Sequence, residues 1–170
     1  MYLMDKLMFD FSFNHLKYFQ EYNGGDTLSL WIFHVDKIPP HVGISQDGFF
    51  YSLKSNGKDF SLESSVFQII ENKNIKCVIL KLNNKSKKTV IKAVFDQYER
   101  ALSAEVSCLT PIKEILNLDK DIPKLASLLS ELESRNMIEG YSGFNVTKSE
   151  CGILKYEVSD IDKRLNLLHA

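Results

Sequence analysis

The stretch that decides the fold runs from His41 to Leu53 and reads His-Val-Gly-Ile-Ser-Gln-Asp-Gly-Phe-Phe-Tyr-Ser-Leu. Two runs rich in apolar residues flank Asp47-Gly48, a dipeptide that favours the tight turn of a β-hairpin. The pattern predicts two antiparallel strands joined through Gln46–Gly48. His41 opens the first strand and follows Pro39-Pro40, whose fixed backbone angles hold the histidine on a rigid segment.

The segments around this hairpin predict a larger sheet and several helices. Leu28–Val35 is a nearly continuous apolar run, typical of a strand buried on both faces. Ile75–Leu82 predicts another strand, with Val78, Leu80 and Leu82 on one face and Cys77 and Ile79 on the other. Helical spacing appears in residues 62–71, 90–102, 121–132 and 161–168, with a loop over 140–143 and a late strand over 152–158. The predicted fold class is α+β, with a mostly antiparallel sheet packed against helices.

The N-terminal segment allows two interpretations. Leu3, Met4, Leu7, Met8 and Phe11 fall at helical spacing, whereas Phe9, Phe11 and Phe13 alternate as in a strand. We expect one domain over residues 1–170, with residues 1–22 as a candidate N-terminal appendage and residues 28–118 as the core. The methionine-containing stripe would adapt to varied shapes, so it is also a candidate homodimer surface.

Composition excludes several classes of function. The net charge is −1 and the hydrophobic fraction is 44%, so no basic excess points to nucleic acid. Three cysteines without a CxxC spacing favour neither a disulfide framework nor a zinc site. No apolar run is long enough for a transmembrane helix, and no signal peptide is evident at the N-terminus. We expect a cytoplasmic protein without a cofactor or metal.

A second informative segment is Val106-Ser107-Cys108-Leu109-Thr110-Pro111, which continues into an amphipathic stretch ending at Leu116. Because proline lacks an N–H, Pro111 belongs in the first turn of a helix, which places Cys108 at or beside the N-cap. A helix N-terminus stabilises a thiolate, so the pKa of the Cys108 thiol should fall. The alternative is a buried and inert cysteine, the commoner state of a free thiol.

His41 with its hairpin, and Cys108 at a helix start, resemble the circularly permuted branch of the NlpC-type papain-like cysteine hydrolases. That branch includes the lecithin retinol acyltransferase-like proteins, and the resemblance covers about Leu30 to Leu116. It implies a papain-like fold in which a histidine on a strand activates a cysteine that follows it in the sequence. Ser52 stands where relatives often have a second histidine, and Ser107 where they often have asparagine; both changes point to weaker or lost catalysis.

The resemblance implies a cysteine-dependent hydrolase or acyltransferase acting on an amide, ester or thioester of a peptide, peptidoglycan fragment or lipid. Cys108 would be the nucleophile, His41 the general base and Ser52 a weak orienter of the imidazole. We then expect the Cys108 sulphur within hydrogen-bond reach of the His41 ring, and Cys108 as the most reactive thiol. His34 is a second candidate base, and Tyr51 and Asn56 are alternative orienters. The alternative function is an inactive papain-like domain that serves as a binding or interaction protein.

Overall fold

The predicted hairpin lies inside a large sheet. In the computed structural model, which describes residues 8–18, 27–83 and 91–170, β4 (His41–Gln46) pairs antiparallel with β5 (Phe49–Lys54). Asp47 and Gly48 have φ values of 54° and 82°, the left-handed pair that a type I′ turn requires. The hairpin prediction is confirmed.

Within the described residues, seven strands form the main sheet, in the order β2-β8-β7-β3-β4-β5-β6. All neighbours are antiparallel except β2 and β8, which are parallel, and β1 pairs with β9 in a separate antiparallel ribbon. The remaining strands are β1 (Phe9–Ser12), β2 (Lys17–Tyr18), β3 (Ser29–Phe33), β6 (Gly57–Leu62), β7 (Cys77–Leu82), β8 (Ile138–Phe144) and β9 (Gly152–Leu154). The helices with described bounds are α1 (Glu63–Asn72), α2 (Ile91–Phe95), α3 (Leu109–Ile115), α4 (Leu125–Ser134) and α5 (Val158–His169). The mixed α+β class with a mostly antiparallel sheet is thereby confirmed.

The sheet separates two apolar clusters. What we call the major face carries Val42, Ile44 and Leu53, and the apolar sides of α2 to α5 join the same cluster. The minor face carries Trp31, Phe33 and Phe50, which pack with Val66 and Ile70 of α1. Because successive strand residues point to opposite faces, each central strand contributes to both clusters, and all five residues of β3 are buried.

Several sequence predictions are corrected by the structure. From Phe9 to Phe13 the chain follows the alternating interpretation: Phe9, Phe11 and Phe13 are buried, and Phe11 and Phe13 join the major-face cluster. Residues 140–143, predicted as a loop, lie inside β8, and β6 was not predicted. The helix predicted over residues 121–132 is α4, which has Lys124 at its N-cap and buries four leucines, Leu125, Leu128, Leu129 and Leu132. Three parts of the predictions lie outside the described residues: Leu3, Met4 and Leu7 of the N-terminal stripe, residues 19–22 of the candidate appendage, and residue 90 at the start of the helix predicted over 90–102.

All helices in the described parts of the chain are too short or too polar to cross a bilayer.

Candidate functional site

Cys108 occupies the N-cap of α3, as the position of Pro111 predicts. The neighbouring hydroxyls make the capping hydrogen bonds. Ser107 Oγ accepts the Leu109 N–H at 3.2 Å, and Thr110 Oγ1 accepts the Ser107 N–H at 2.9 Å. Ser107, which stands where relatives often have asparagine, therefore helps to start the helix.

The Cys108 sulphur lies against the strand that His41 opens. It accepts a hydrogen bond from the backbone N–H of Val42, at the end of β4 where the ladder with β5 stops after the Gly43–Ser52 pair. Burial nevertheless raises the pKa of the thiol to about 11, and the backbone hydrogen bonds only partly oppose this effect. The expectation that a helix N-terminus would lower this pKa is wrong for Cys108, because desolvation outweighs the short helix.

His41 points to the other side of the sheet. It pairs with Phe33, and the two rings lie 5.8 Å apart between centroids. Phe33 belongs to the minor face, whereas Val42 belongs to the major face with α3. Strand alternation therefore turns the imidazole towards the aromatic cluster and away from the helix that carries Cys108.

The imidazole of His41 is poorly placed to act as a base. Its Nε2 is buried without a hydrogen-bond partner anywhere in residues 8–18, 27–83 and 91–170. Burial lowers the pKa of His41 to about 4, an effect that the nearby Asp59 opposes and Lys54 reinforces. Because burial raises the pKa of the thiol and lowers that of the imidazole, transfer of the thiol proton to this ring is strongly disfavoured.

Ser52 shares the minor face with His41, but its hydroxyl has another partner. It is fully buried and lies between Gly43 and Asp59 in the ladder. Its Oγ donates a hydrogen bond to Asp59 Oδ2 at 3.2 Å, and Asp59 Oδ1 forms an ion pair with Lys54 Nζ at 2.9 Å. The structure therefore brings Ser52 and His41 to one face, while the serine proton is directed to a carboxylate and not to the imidazole.

Asp59 and Lys54 are the members of this cluster that the sequence interpretation missed. Both would have followed from the register of the second hairpin, because a two-residue turn at Ser55-Asn56 places Asp59 opposite Ser52.

The other candidate residues lie on or beside strands of the main sheet. His34 follows β3 with φ of 57°, and burial lowers the pKa of its ring. Tyr51 faces the major side, where its ring stacks on Phe95 at 5.7 Å. Cys77 is completely buried in β7, and burial raises the pKa of its thiol well above the ordinary range.

The structure also shows an open groove that none of these residues lines. It has a volume of about 480 Å³ and lies between β1 and α4, where Asp10, Ser12, Ser130 and Glu133 contribute to the lining. Within the described ranges, no three His, Cys, Asp or Glu side chains converge in a way that could hold a metal ion.

Comparison with known proteins adds no relative: no family model, no curated protein and no solved structure matches the chain. The catalytic roles of Cys108, His41 and Ser52 stay predictions that rest on local resemblance.

Proposed function

We propose that this protein is a binding or interaction protein in which the histidine and cysteine positions have a structural role. The observation that carries the proposal is the division of the two side chains by the sheet. The Cys108 thiol is hydrogen-bonded to a backbone amide beside the major-face cluster, while the His41 ring packs on Phe33 of the minor face. A general base must reach the nucleophile that it activates, and this arrangement does not provide that contact.

An exposed apolar surface supports the interaction function. Phe60 is 55% exposed, Leu62 53% and Phe49 40%. Phe49 lies opposite Leu62 in the ladder, and the Phe49 and Phe60 rings stack 5.4 Å apart. Scattered apolar residues on a surface are ordinary, but a contiguous group of large ones favours a contact with another protein. We call these three residues the aromatic edge.

A second candidate function is the cysteine hydrolase or acyltransferase, on a papain-like fold. It is favoured by one observation, the hydrogen bond between the Cys108 sulphur and the amide of the residue next to His41. A change in backbone conformation at the start of β4 that moved the His41 ring to the major face would bring the imidazole to the thiol. The substrate would then be a peptide, peptidoglycan fragment or lipid carrying an amide, ester or thioester.

Alkylation of the full chain by iodoacetamide distinguishes the two functions. Peptide mapping gives the labelling rate of each cysteine as a function of pH, with the half-buried Cys151 as an internal reference. We expect no inflection near neutral pH for Cys108, because burial raises the pKa of its thiol. We also expect the same Cys108 profile in His41→Phe, which retains a ring, and in His15→Asn, a control at an exposed histidine.

The opposite result would assign catalysis to the site. A neutral inflection at Cys108 that disappears in His41→Phe but persists in His15→Asn would overturn the proposal. So would hydrolysis of p-nitrophenyl acetate by the unmodified protein that Cys108→Ala abolishes and Cys151→Ala leaves intact.

A further inference from the structure

Among the described residues, the strand β6 is an unpaired edge of the main sheet, and the pairing with β5 shows which of its N–H groups point outwards. β6 is last in the strand order, with β5 as its neighbour. The backbone N–H and C=O groups of Asp59 and Ser61 point to β5, because a two-residue turn makes their pairs with Ser52 and Phe50 the hydrogen-bonded ones. The Glu63 N–H continues this alternation by donating to the Gly48 carbonyl. The N–H groups of Lys58, Phe60 and Leu62 therefore point away from the sheet.

The same edge carries large apolar side chains. Phe60 and Leu62 belong to the aromatic edge, and both are more than half exposed. Phe60 also touches Tyr51 at a centroid distance of 5.1 Å, so one side of its ring is anchored while the other faces solvent. An exposed strand edge with apolar side chains is a template for pairing with another strand.

We propose that this edge pairs with β6 of a second copy of the chain, antiparallel and with Phe60 opposite Phe60 of the second copy. The inference rests on the proposed interaction function and names its partner. In this register Phe60 exchanges N–H···O bonds with its counterpart in both directions. Each Leu62 N–H donates to the Lys58 carbonyl of the second copy, so all the outward N–H groups of Phe60 and Leu62 are used.

Charge disfavours the registers centred on Asp59 and on Lys58. In a two-fold symmetric pair, residues directly opposite each other lie on the same sheet face, so any residue placed on the axis faces its own copy. Asp59 on the axis would set two carboxylates opposite each other, and Lys58 on the axis would set two ammonium groups opposite each other. With Phe60 on the axis, Lys58 faces Leu62 and Asp59 faces Ser61, so no like charges meet.

Lys58 is the residue on this strand that could block pairing, since an edge lysine commonly prevents strand addition. Its Nζ lies 3.7 Å from Asp96 Oδ1, however, so part of its charge is balanced within one chain. The long side chain can then cover Leu62 of the second copy with its methylene groups. Because one strand pair buries little surface, we expect a weak, concentration-dependent dimer.

Sedimentation velocity of the full chain, from low to high micromolar concentration, measures this dimer. Phe60→Glu and Phe60→Lys should each keep the protein monomeric, because like charges would face each other on the axis. An equimolar mixture of the two variants should restore dimers, since opposite charges then meet at that position. Ile69→Glu, at a 48% exposed site on α1, is the matched control and should dimerise like the unmodified protein.

A second measurement covers the event that the charged variants fold poorly. Phe60→Cys should form an intermolecular disulfide under mild oxidation, because hydrogen-bonded antiparallel partners have Cα atoms about 5.5 Å apart, inside the range of disulfides.

A protein that stays monomeric at every concentration, and gives no such disulfide, would overturn the inference and leave the interaction function with a different partner. A dimer that survives Phe60→Glu but is lost on deletion of residues 1–7 would also overturn it, and would assign the contact to the N-terminal segment. Cys108-dependent ester hydrolysis would instead contradict the proposed function and leave the dimer untouched.

Discussion

The two faces of the main sheet differ in chemistry although the same strands build both. On β4 the major face receives Val42 and Ile44, whereas the minor face receives His41, Gly43 and Ser45. On β5 the minor face receives Phe50, Ser52 and Lys54. The histidine and serine that resemble a catalytic family thus share one face, while the helix that begins at Cys108 packs on the other. A motif can be present in sequence and still be divided by the phase of one strand.

The largest effect is expected from a truncation on the major face. Ile44 is fully buried in the cluster that contains α3 and α4. Ile44→Ala removes methyl groups from a packed site and leaves a cavity, so it should lower the free energy of unfolding by about 2–5 kcal/mol. Urea denaturation followed by circular dichroism measures the change. A loss below about 1 kcal/mol would mean that this face is loosely packed and that the contrast between the faces is wrong.

On the minor face, β4 can be tested by adding volume instead of removing it. A Cβ atom on Gly43 would lie 2.3 Å from the Phe50 ring and 2.9 Å from the Tyr51 carbonyl oxygen. Gly43→Ala should therefore lower the free energy of unfolding by about 1–3 kcal/mol through overpacking. Phe50→Leu in the same chain should recover part of the loss, because it removes the ring that the new methyl group meets. Equal stability of Gly43→Ala and the unmodified protein would contradict the tight contact between β4 and Phe50.

Much of the fold that builds these two faces could be predicted from the sequence. The elements that could not be predicted have identifiable physical causes. The apolar runs of β3 and β7 and the leucines of α4 follow directly from periodicity. The alternation of β6, Gly-Lys-Asp-Phe-Ser-Leu, is a weak signal because an edge strand needs few apolar residues. β8 contains Gly140 and Gly143, which ordinarily indicate a loop; a Cβ on Gly143 would lie 2.5 Å from Val146, so close packing requires the glycine.

In the candidate site, too, some features could be predicted from the sequence and others could not. The position of Cys108 at a helix start followed from Pro111. The side on which His41 lies also followed from the sequence, since Val42 and Ile44 had to face the core with the apolar side of α3. The raised thiol pKa could not be read from the sequence, because it depends on the burial of the sulphur in the tertiary structure.

The minor face should also be sensitive to acid. The pKa of His41 in the folded chain, about 4, lies below its ordinary value of 6.5, so protons bind preferentially to the unfolded chain. Stability from the neutral ring is complete above pH 6.5 and is lost as the pH falls towards 4. Between about pH 7 and pH 4.5 the unmodified protein should lose roughly 2 kcal/mol more than His41→Phe does. Urea denaturation at both pH values measures the difference, with His15→Asn as the control; parallel pH profiles for His41→Phe and the unmodified protein would show that the ring is accessible to solvent.

The smallest effect concerns the hydroxyl of Ser52, and it tests whether the polar cluster of the minor face is structural. Ser52→Ala removes the 3.2 Å hydrogen bond to Asp59, while Lys54 still holds the other carboxylate oxygen. The variant should lose about 0.5–1.5 kcal/mol, since the bond is made to a charged but half-exposed acceptor. Asp59→Asn in a double-mutant cycle should give a coupling energy of the same size, because the two side chains contact each other. If Ser52 instead oriented the imidazole for catalysis, Ser52→Ala would alter the pH profile of Cys108 alkylation and would show no coupling with Asp59→Asn. The cycle and the alkylation profile together therefore assign the serine either to the carboxylate on its own face or to the thiol on the other.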